Sequence, residues 1–330
     1  MAVAAGRESA GRESAGREGR RACVELDVRP PGPYRLPPPG RDGVLRRRNG
    51  ALVRVLHRGD EQAVVAAWPA AGAVRLRAEA PTRDCAEHAC ERMRFALGLD
   101  HDVLPFVRRF RWDRLIGPVV RRRPWIRPLR RPEPFEALAW AITEQLIDSE
   151  SAAAIQRSLV RRFGRRSECG TLRDAPSPAR LAACSPAELQ ACGLSAGRSA
   201  ALRRAAREVA SGRVDLSEHE PAWRRLATIR EVGPWTLESL AFHGQGRDDQ
   251  IPAGDLAYVK LVGRLAGLGR RATVEEVREF FEPYAPYAAL AGLYMLNAAY
   301  LRGATARRPA PAGAAGPRAA TARRPAAARW

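Results

Sequence analysis

An aspartate that directly precedes an apolar, helix-forming segment is the starting point for any chemistry in this sequence. Asp255 follows Gly254 and precedes residues 256–265, which are predicted to form a helix. An Asp in this position is ordinarily the N-cap of its helix, and that role is the structural alternative. The two roles are compatible, because a capped carboxylate stays ionised and is held in place. Such a group can stabilise a developing positive charge and orient or deprotonate a water molecule.

A helix, a tight turn and a second helix are predicted before this aspartate. The turn lies at Glu231-Val232-Gly233, and Pro234 opens the second helix, where its missing N–H costs nothing. This arrangement leaves backbone N–H groups and the positive end of a helix dipole pointing outward. A turn of this kind can hold a DNA phosphate without reading the base sequence.

Positive charge is spread over the chain and comes almost entirely from arginine. The net charge of the 330 residues is +20, and Lys260 is the only lysine. Residues 1–22 contribute +2 and residues 303–330 contribute +6, so the body of the chain keeps +12. This charge favours phosphate backbones, although it suits RNA or an anionic membrane surface equally well. Ten arginines and three aromatic residues between positions 107 and 131 suit DNA contact, but charged runs are usually solvated surface.

The cysteine pattern predicts no metal centre. The six cysteines are scattered and lack paired CxxC spacing, so we expect neither a zinc site nor an iron–sulfur cluster. Cys85 and Cys90, with His88 between them, are interpreted as thiols on a helix. No apolar run approaches membrane-spanning length, and the charged N-terminus has no signal-type hydrophobic stretch. We therefore expect a cytoplasmic protein.

Composition divides the chain into four parts. Residues 1–22 and the Ala/Pro/Arg-rich residues 303–330 are predicted to be disordered tails, because neither can bury enough apolar surface to offset its ordering entropy. Residues 23–105 are predicted to form an α+β domain with a small antiparallel sheet, whose strands lie within 51–80. Residues 106–302 are predicted to be helical, with glycines separating helices of ordinary length. The predicted fold class is therefore mainly α.

Three segments together resemble the helix-hairpin-helix (HhH-GPD) superfamily of DNA glycosylases, close to its alkylation-repair branch, that of 3-methyladenine DNA glycosylase II. The first is the hairpin, with the aspartate 22 residues after Gly233. The second, Pro134–Ile147, resembles the helix that carries a DNA-inserting wedge, and the third, Cys184–Arg198, resembles the helix pair between the other two. The resemblance spans about residues 95–302, and more weakly the strands. It implies the helical glycosylase fold with a small N-terminal antiparallel β-sheet.

The resemblance also implies roles for individual residues. Asp255 is implied to be the catalytic carboxylate, and Trp235 and Tyr287 are implied to form the base pocket. Leu146 is implied to be the apolar wedge that fills the gap left by a flipped base. A Leu or a Trp in such helices is often a core residue instead, and this alternative stays open for Leu146 and Trp235. The implied DNA-binding residues are Gln145, Leu146, Val232, Gly233 and Thr236.

The activity implied by the resemblance is hydrolysis of the N-glycosidic bond of alkylated purines flipped out of double-stranded DNA. Lyase members of the superfamily form a Schiff base with a hairpin lysine, but Trp235 fills that position here. Lys260 lies five residues past Asp255, well off the same helical face, so a monofunctional glycosylase is expected. We expect a nucleoid-associated monomer that needs no cofactor, with at most a monovalent cation at the hairpin and no iron–sulfur cluster.

Three residues depart from the family pattern. Glu231 replaces the first glycine of the turn, Ser239 stands where a pocket tyrosine is common, and Ala288 stands where a basic residue is expected. These departures leave two alternatives open. One is a glycosylase for a different base lesion, and the other is a non-catalytic HhH module that binds DNA or a partner. Glu231 weakly favours the module, whereas Asp255 strongly opposes it.

Overall fold

The N-terminal part of the protein is a single antiparallel sheet. The computed structural model describes residues 21–306, and the structural statements below concern this part of the chain. The strands are β1 (Ala22–Val28), β2 (Arg46–Arg48), β3 (Ala51–Arg58), β4 (Glu61–Ala70) and β5 (Ala73–Ala80). Their order across the sheet is β1-β5-β4-β3-β2, and all neighbours are antiparallel. The antiparallel sheet predicted from residues 51–80 is confirmed, with one further strand at each edge.

Tight turns and one helix hold this sheet together. The turns between β3 and β4 and between β4 and β5 contain Gly59 and Gly72, whose φ angles of +59° and +68° favour glycine. The helix α1 (Arg83–Ala96) covers one face with small side chains and with Met93, which is fully buried. Burial raises the pKa of the Cys90 thiol to about 11. This thiol therefore behaves as a small apolar side chain of the core.

Helices make up most of the remaining chain. After α1 they are α2 (Leu104–Phe110), α3 (Gly117–Arg122), α4 (Pro134–Glu144), α5 (Ser149–Phe163), α6 (Pro178–Ala183), α7 (Pro186–Gln190), α8 (Ala196–Ala210), α9 (His219–Leu226), α10 (Pro234–Gly244), α11 (Leu256–Leu265), α12 (Val274–Phe281), a 3₁₀ turn (Glu282–Tyr284) and α13 (Ala288–Ala306). Proline occupies the first turn of several of them, α4 and α10 included, where it costs no hydrogen bond. None of the described helices is both long and apolar enough to cross a lipid bilayer.

The helices bury two separate apolar cores. In the first, Trp140 and Ile142 of α4 pack with Leu202 of α8 and with residues of α10. In the second, Tyr294 of α13 packs with Phe106 of α2 and with residues of α11 and α12. The hairpin helix α10 and helix α4 are in direct contact. The first core therefore fixes the hairpin relative to the end of α4.

A buried ion-pair network joins the sheet to the helical part. Arg54 of β3 donates to Glu136 of α4 at 2.9 Å and to Asp174 at 3.2 Å. Burial raises the pKa of Glu136, and the charges of Arg54 and Arg131 act against that rise. Removing one partner of a buried pair leaves the other charge uncompensated and typically costs about 3–5 kcal/mol. The sheet is thus held in place against α4.

The two predicted tails lie mostly outside the described residues, at 1–20 and 307–330. The short stretches of them that are described differ from the prediction. Ala22 begins β1, where it pairs with Ala80, and residues 303–306 continue α13. Starting a helix costs free energy because several residues must be fixed for the first hydrogen bond, whereas each further residue adds one hydrogen bond. A packed helix therefore readily continues past its apolar segment.

Candidate active site

The Asp255 carboxylate is held by two separate elements. As the N-cap of α11, its Oδ1 accepts a hydrogen bond from the backbone N–H of Ala257 at 2.7 Å. Its Oδ2 accepts a hydrogen bond from Nε1 of Trp235 on α10 at 3.2 Å. The side chain is half-buried. The carboxylate therefore has a fixed position while part of it remains open to a ligand.

The loop before Asp255 is anchored to the hairpin helix. The backbone N–H of Ala253 donates to the Glu238 carboxylate at 3.1 Å, and Arg278 of α12 pairs with the same carboxylate at 2.8 Å. The N–H of Asp255 itself donates to the carbonyl of Pro252 at 2.9 Å. These bonds fix the direction in which the chain enters α11.

The turn between α9 and α10 has its left-handed residue at Glu231. The φ of Glu231 is +72°, whereas Gly233 is extended and caps α10. Val232 closes the turn, with its N–H donating to the Ile229 carbonyl at 3.0 Å. The N–H of Gly233 makes no hydrogen bond within residues 21–306, and a Cβ added at Gly233 would meet nothing within 4 Å. An unpaired N–H at an open helix N-terminus is a favourable place for an anion.

The residues after α4 form a second, strained turn beside the hairpin. Leu146 has a φ of +56° and a relative exposure of 104%, which is unusual for a large apolar side chain. Nε2 of the preceding Gln145 donates to the carbonyl of Glu231 at 2.5 Å and to Oγ1 of Thr236 at 2.8 Å. Gln145 thus ties this turn to the hairpin and holds Leu146 outward.

Two concave regions meet at Asp255. A cavity of about 420 Å³ lies between the loop at residues 37–42, α1 and the α4–α5 region, and an open groove of about 770 Å³ runs past Leu146 and Gly233. The cavity has the volume of a small-ligand pocket. Both regions share four lining residues, which are Glu144, Ile147, Trp235 and Asp255. The carboxylate therefore stands where the groove and the cavity meet.

Comparisons with known proteins decide the family. Residues 139–286 match the HhH-GPD superfamily of base excision DNA repair proteins. DNA-3-methyladenine glycosylase 1 of Schizosaccharomyces pombe is 30% identical over 190 residues, which cover 56% of this chain and 80% of that protein. This chain belongs to the HhH-GPD superfamily. The DNA-3-methyladenine glycosylase of Bacillus subtilis is 25% identical over 209 residues, or 61% of this chain and 69% of that protein.

A solved structure shows the same fold. The 3-methyladenine DNA-glycosylase from Archaeoglobus fulgidus superimposes with a TM-score of 0.70 at 22% identity, over 85% of this chain and 98% of that one. The HhH-GPD resemblance and the predicted fold class are therefore confirmed: a mainly helical fold with a small antiparallel sheet.

Not every residue with a predicted role in the HhH-GPD site reaches the groove with its side chain. Gln145, Leu146, Gly233, Trp235 and Asp255 line it together. Thr236 also lines the groove, but it is only 1% exposed and its hydroxyl is taken by Gln145, while Val232 is 4% exposed and packs in the first core. Both side chains are therefore too buried for a direct DNA contact, and both backbone N–H groups already donate within the hairpin.

Tyr287 lies away from both concave regions. Its ring packs edge-on against Phe106 and Phe110, with centroids 5.8 and 6.5 Å away, in the second core. Ala288 packs against the same core, and Ser239 is buried on α10. None of these three residues lines the cavity or the groove. The structure therefore places Tyr287 differently from the pocket residue that we predicted, and the departures at 239 and 288 lie behind the site.

Much of the arginine run at residues 107–131 is structural. Arg109 and Arg127 donate to backbone carbonyls of distant loops, each at 2.8 Å. Arg130 and Arg131 pair with aspartates at 3.1 and 2.6 Å. The arginines that stay exposed are Arg108, Arg109, Arg111, Arg114, Arg121 and Arg122. DNA contact stays a prediction for the run, in which Arg130 and Arg131 also line the cavity.

The sequence reasoning missed one wall of the cavity and one acid inside it. Arg54 and the loop at residues 37–42 come from the N-terminal part, and Glu144 is the last residue of α4. The wall could not be found from spacing, because its residues lie far from the hairpin in the chain. Glu144 carried a usable signal: it is an acid that ends an apolar helix directly before Gln145 and Leu146.

Proposed function

We propose that this HhH-GPD protein is a monofunctional DNA glycosylase of the 3-methyladenine type. It hydrolyses the bond between deoxyribose and an alkylated purine that has been flipped out of duplex DNA. The observation that carries the proposal is the position of Asp255, bonded by Ala257 and Trp235 where an open groove meets a pocket. The names of relatives in Schizosaccharomyces pombe and Bacillus subtilis support the choice of lesion class.

The chemistry of base release fits this arrangement. Breaking the bond to the base builds positive charge on the sugar, and a fixed carboxylate stabilises that cation and orients the attacking water. Trp235 contributes in two ways, because its Nε1 holds the Asp255 carboxylate and its ring lines the pocket. The face of an indole ring attracts a cationic base. An alkylated purine already carries a positive charge, so it leaves without further activation.

The groove has the features needed to bind a DNA backbone around a flipped nucleotide. The free N–H of Gly233 at the start of α10 suits a phosphate, and the exposed side chain of Leu146 suits the gap in the base stack. The positive charge of the chain strengthens binding to any duplex. The proposed target is damaged chromosomal DNA, on which the protein would act as a monomer.

A lyase step is not part of the proposal. Lys260 is the only lysine of the chain, and it lines a neighbouring concave surface that shares Arg271 with the groove. No lysine lines the cavity or the groove that contain Asp255. A Schiff base needs an amine at the sugar carbon, so the product should be an intact abasic site.

The hairpin turn also fits a monovalent cation. The carbonyls of Ile229 and Glu231 each accept one hydrogen bond and keep a second lone pair, with which they would hold the ion. A bound cation would stiffen the turn, and no step of base release depends on it.

A free-base release assay tests the proposal. Duplexes that contain 3-methyladenine, hypoxanthine, another damaged base or only normal bases are incubated with the protein, and released bases are separated and counted. We expect release of 3-methyladenine, no release of normal adenine, and a DNA strand that breaks only after alkali treatment. Tight duplex binding with no release from any lesion would identify a non-catalytic module instead. Release of a different lesion alone would reassign the substrate.

A further inference from the structure

A second carboxyl group, that of Glu144, lies in the proposed base site. Glu144 is the last residue of α4, and it lines both the cavity and the groove together with Asp255 and Trp235. It is partly buried, and within residues 21–306 no arginine, histidine or lysine pairs with it. The alkyl-purine chemistry described above uses Asp255 and leaves Glu144 without a role.

The surroundings of Glu144 make ionisation of its carboxyl less favourable. Burial raises its pKa, the charges of Asp42 and Asp255 raise it further, and the Gln156 hydrogen bond and Arg131 oppose the rise. Nε2 of Gln156 donates to its Oε1 at 2.8 Å, so this oxygen has a fixed direction. Glu144 also ends a helix, where the negative end of the helix dipole disfavours a further negative charge.

Two carboxyl groups at one site can have different roles: the protonated group acts as a general acid, and the ionised group acts as a base or stabilises positive charge. Asp255 is bonded by two N–H donors, which suit a carboxylate, whereas Glu144 is bonded by one. Cationic alkylated purines leave without a proton. A neutral damaged purine, such as hypoxanthine, leaves readily only when a ring nitrogen is protonated.

We propose that Glu144 donates a proton to the leaving base, and that this extends base release from cationic to neutral purine lesions. The inference rests on the proposed glycosylase function. In the step, the Glu144 proton moves to a ring nitrogen of the base, and the electron pair of the bond to the sugar leaves with the base. Water then adds to the sugar cation beside Asp255 and releases one proton, and solvent returns a proton to Glu144. The products are the neutral free base and an abasic sugar.

The test compares a cationic and a neutral lesion in single-turnover excision by wild-type protein and by Glu144→Gln. Glutamine keeps the size of the side chain and an oxygen that can accept the Gln156 hydrogen bond, so the fold should be retained. We expect hypoxanthine excision to fall about 10²-fold or more, as is usual for loss of a general acid, and 3-methyladenine excision to change less than about threefold. The matched control is Glu150→Gln, which removes an exposed acid outside both concave regions and should leave both rates unchanged.

The pH profile of the wild-type protein is a second test that needs no variant. Hypoxanthine excision should decline as pH rises through the pKa of Glu144, while 3-methyladenine excision should show no such decline. Replacing Gln156 by Leu removes a donor that favours the ionised form, so the midpoint should move to higher pH. A midpoint that stays in place in Gln156→Leu would count against Glu144 as the titrating group.

Failure of the inference is distinguishable from failure of the proposed function. If wild-type protein releases 3-methyladenine but not hypoxanthine, or if Glu144→Gln slows both lesions equally, the inference is overturned and the glycosylase function stands. If wild-type protein releases neither base, the proposed function itself fails. If Glu144→Gln has a lowered melting temperature, the pH profiles of wild-type excision of the two lesions decide the inference instead.

Discussion

Replacement of Leu146 by Ala tests whether this residue is a wedge or part of the core. The Leu146 side chain is fully exposed, and the backbone at Leu146 has a left-handed φ. Truncation of this side chain therefore removes no packing from the free protein. Burying three further carbon groups in a base stack contributes about 2 kcal/mol at about 0.8 kcal/mol each, with allowance for incomplete burial. A loss of that size weakens DNA binding roughly 30-fold. Stability should stay within about 0.5 kcal/mol of the wild type, as for other surface substitutions.

The assay is fluorescence anisotropy with a duplex that contains an abasic analogue, at fixed salt, paired with thermal unfolding. The matched control is Leu129→Ala, which truncates another exposed leucine that lines the cavity but not the groove; because the abasic ligand places no base in the cavity, its affinity should be unchanged. An undamaged duplex should bind both variants as it binds the wild type, because no gap is open to fill. A large drop in melting temperature with unchanged affinity would show Leu146 to be a core residue and would refute the reasoning.

Three further predictions concern the lysine, the indole and a buried histidine. Borohydride should trap no covalent adduct with lesion DNA, and Lys260→Met should excise at the wild-type rate; an adduct that depends on Lys260 would contradict the monofunctional proposal. Trp235→Phe keeps a ring but loses the hydrogen bond to Asp255, so single-turnover excision should slow roughly 10-fold, in line with about 1.5 kcal/mol for a bond to a charged group, with duplex affinity unchanged. Burial lowers the pKa of His243 to about 4, helped by Arg131 and Arg130, from about 6.5 in an unfolded chain. Stability should therefore be complete above about pH 6.5 and fall by about 3 kcal/mol as pH drops to about 4, and His243→Asn should flatten that part of a denaturation series against pH.

Local signals were sufficient for the hairpin and the start of α11. Gly233 followed by Pro234 marks the start of a helix, and Asp255 after Gly254 marks the start of another, because capping depends on a few neighbouring residues. The strands within 51–80 were equally readable, since their apolar stretches are bounded by turn residues. The same reasoning placed Leu146 within a helix over 134–147, whereas α4 ends at Glu144 and Leu146 lies after it with a left-handed backbone.

The rest of the site depends on contacts between residues that are distant in the chain. Arg54 bonds to Glu136 and Asp174 across 82 and 120 positions, and no local pattern indicates such pairs. For the same reason, the sequence did not reveal the wall of the pocket that the N-terminal part supplies. Tyr287 shows the opposite limit: its position in the sequence resembles a pocket residue, whereas its ring packs against Phe106 and Phe110, and its pocket role stays a prediction. Tertiary packing decides both cases.

The most direct test of the central claim is single-turnover excision of 3-methyladenine by Asp255→Asn. Asparagine keeps the size and much of the capping ability of Asp255 but removes the negative charge that faces the sugar cation, a loss that typically costs about 10²-fold or more in rate. Affinity for an abasic-analogue duplex should stay the same or rise slightly, since the acid repels DNA. Asp148→Asn is the matched control, because Asp148 also caps a helix and lines the same groove, and it should excise at the wild-type rate. Excision by Asp255→Asn at the wild-type rate would show that Asp255 is only a helix cap.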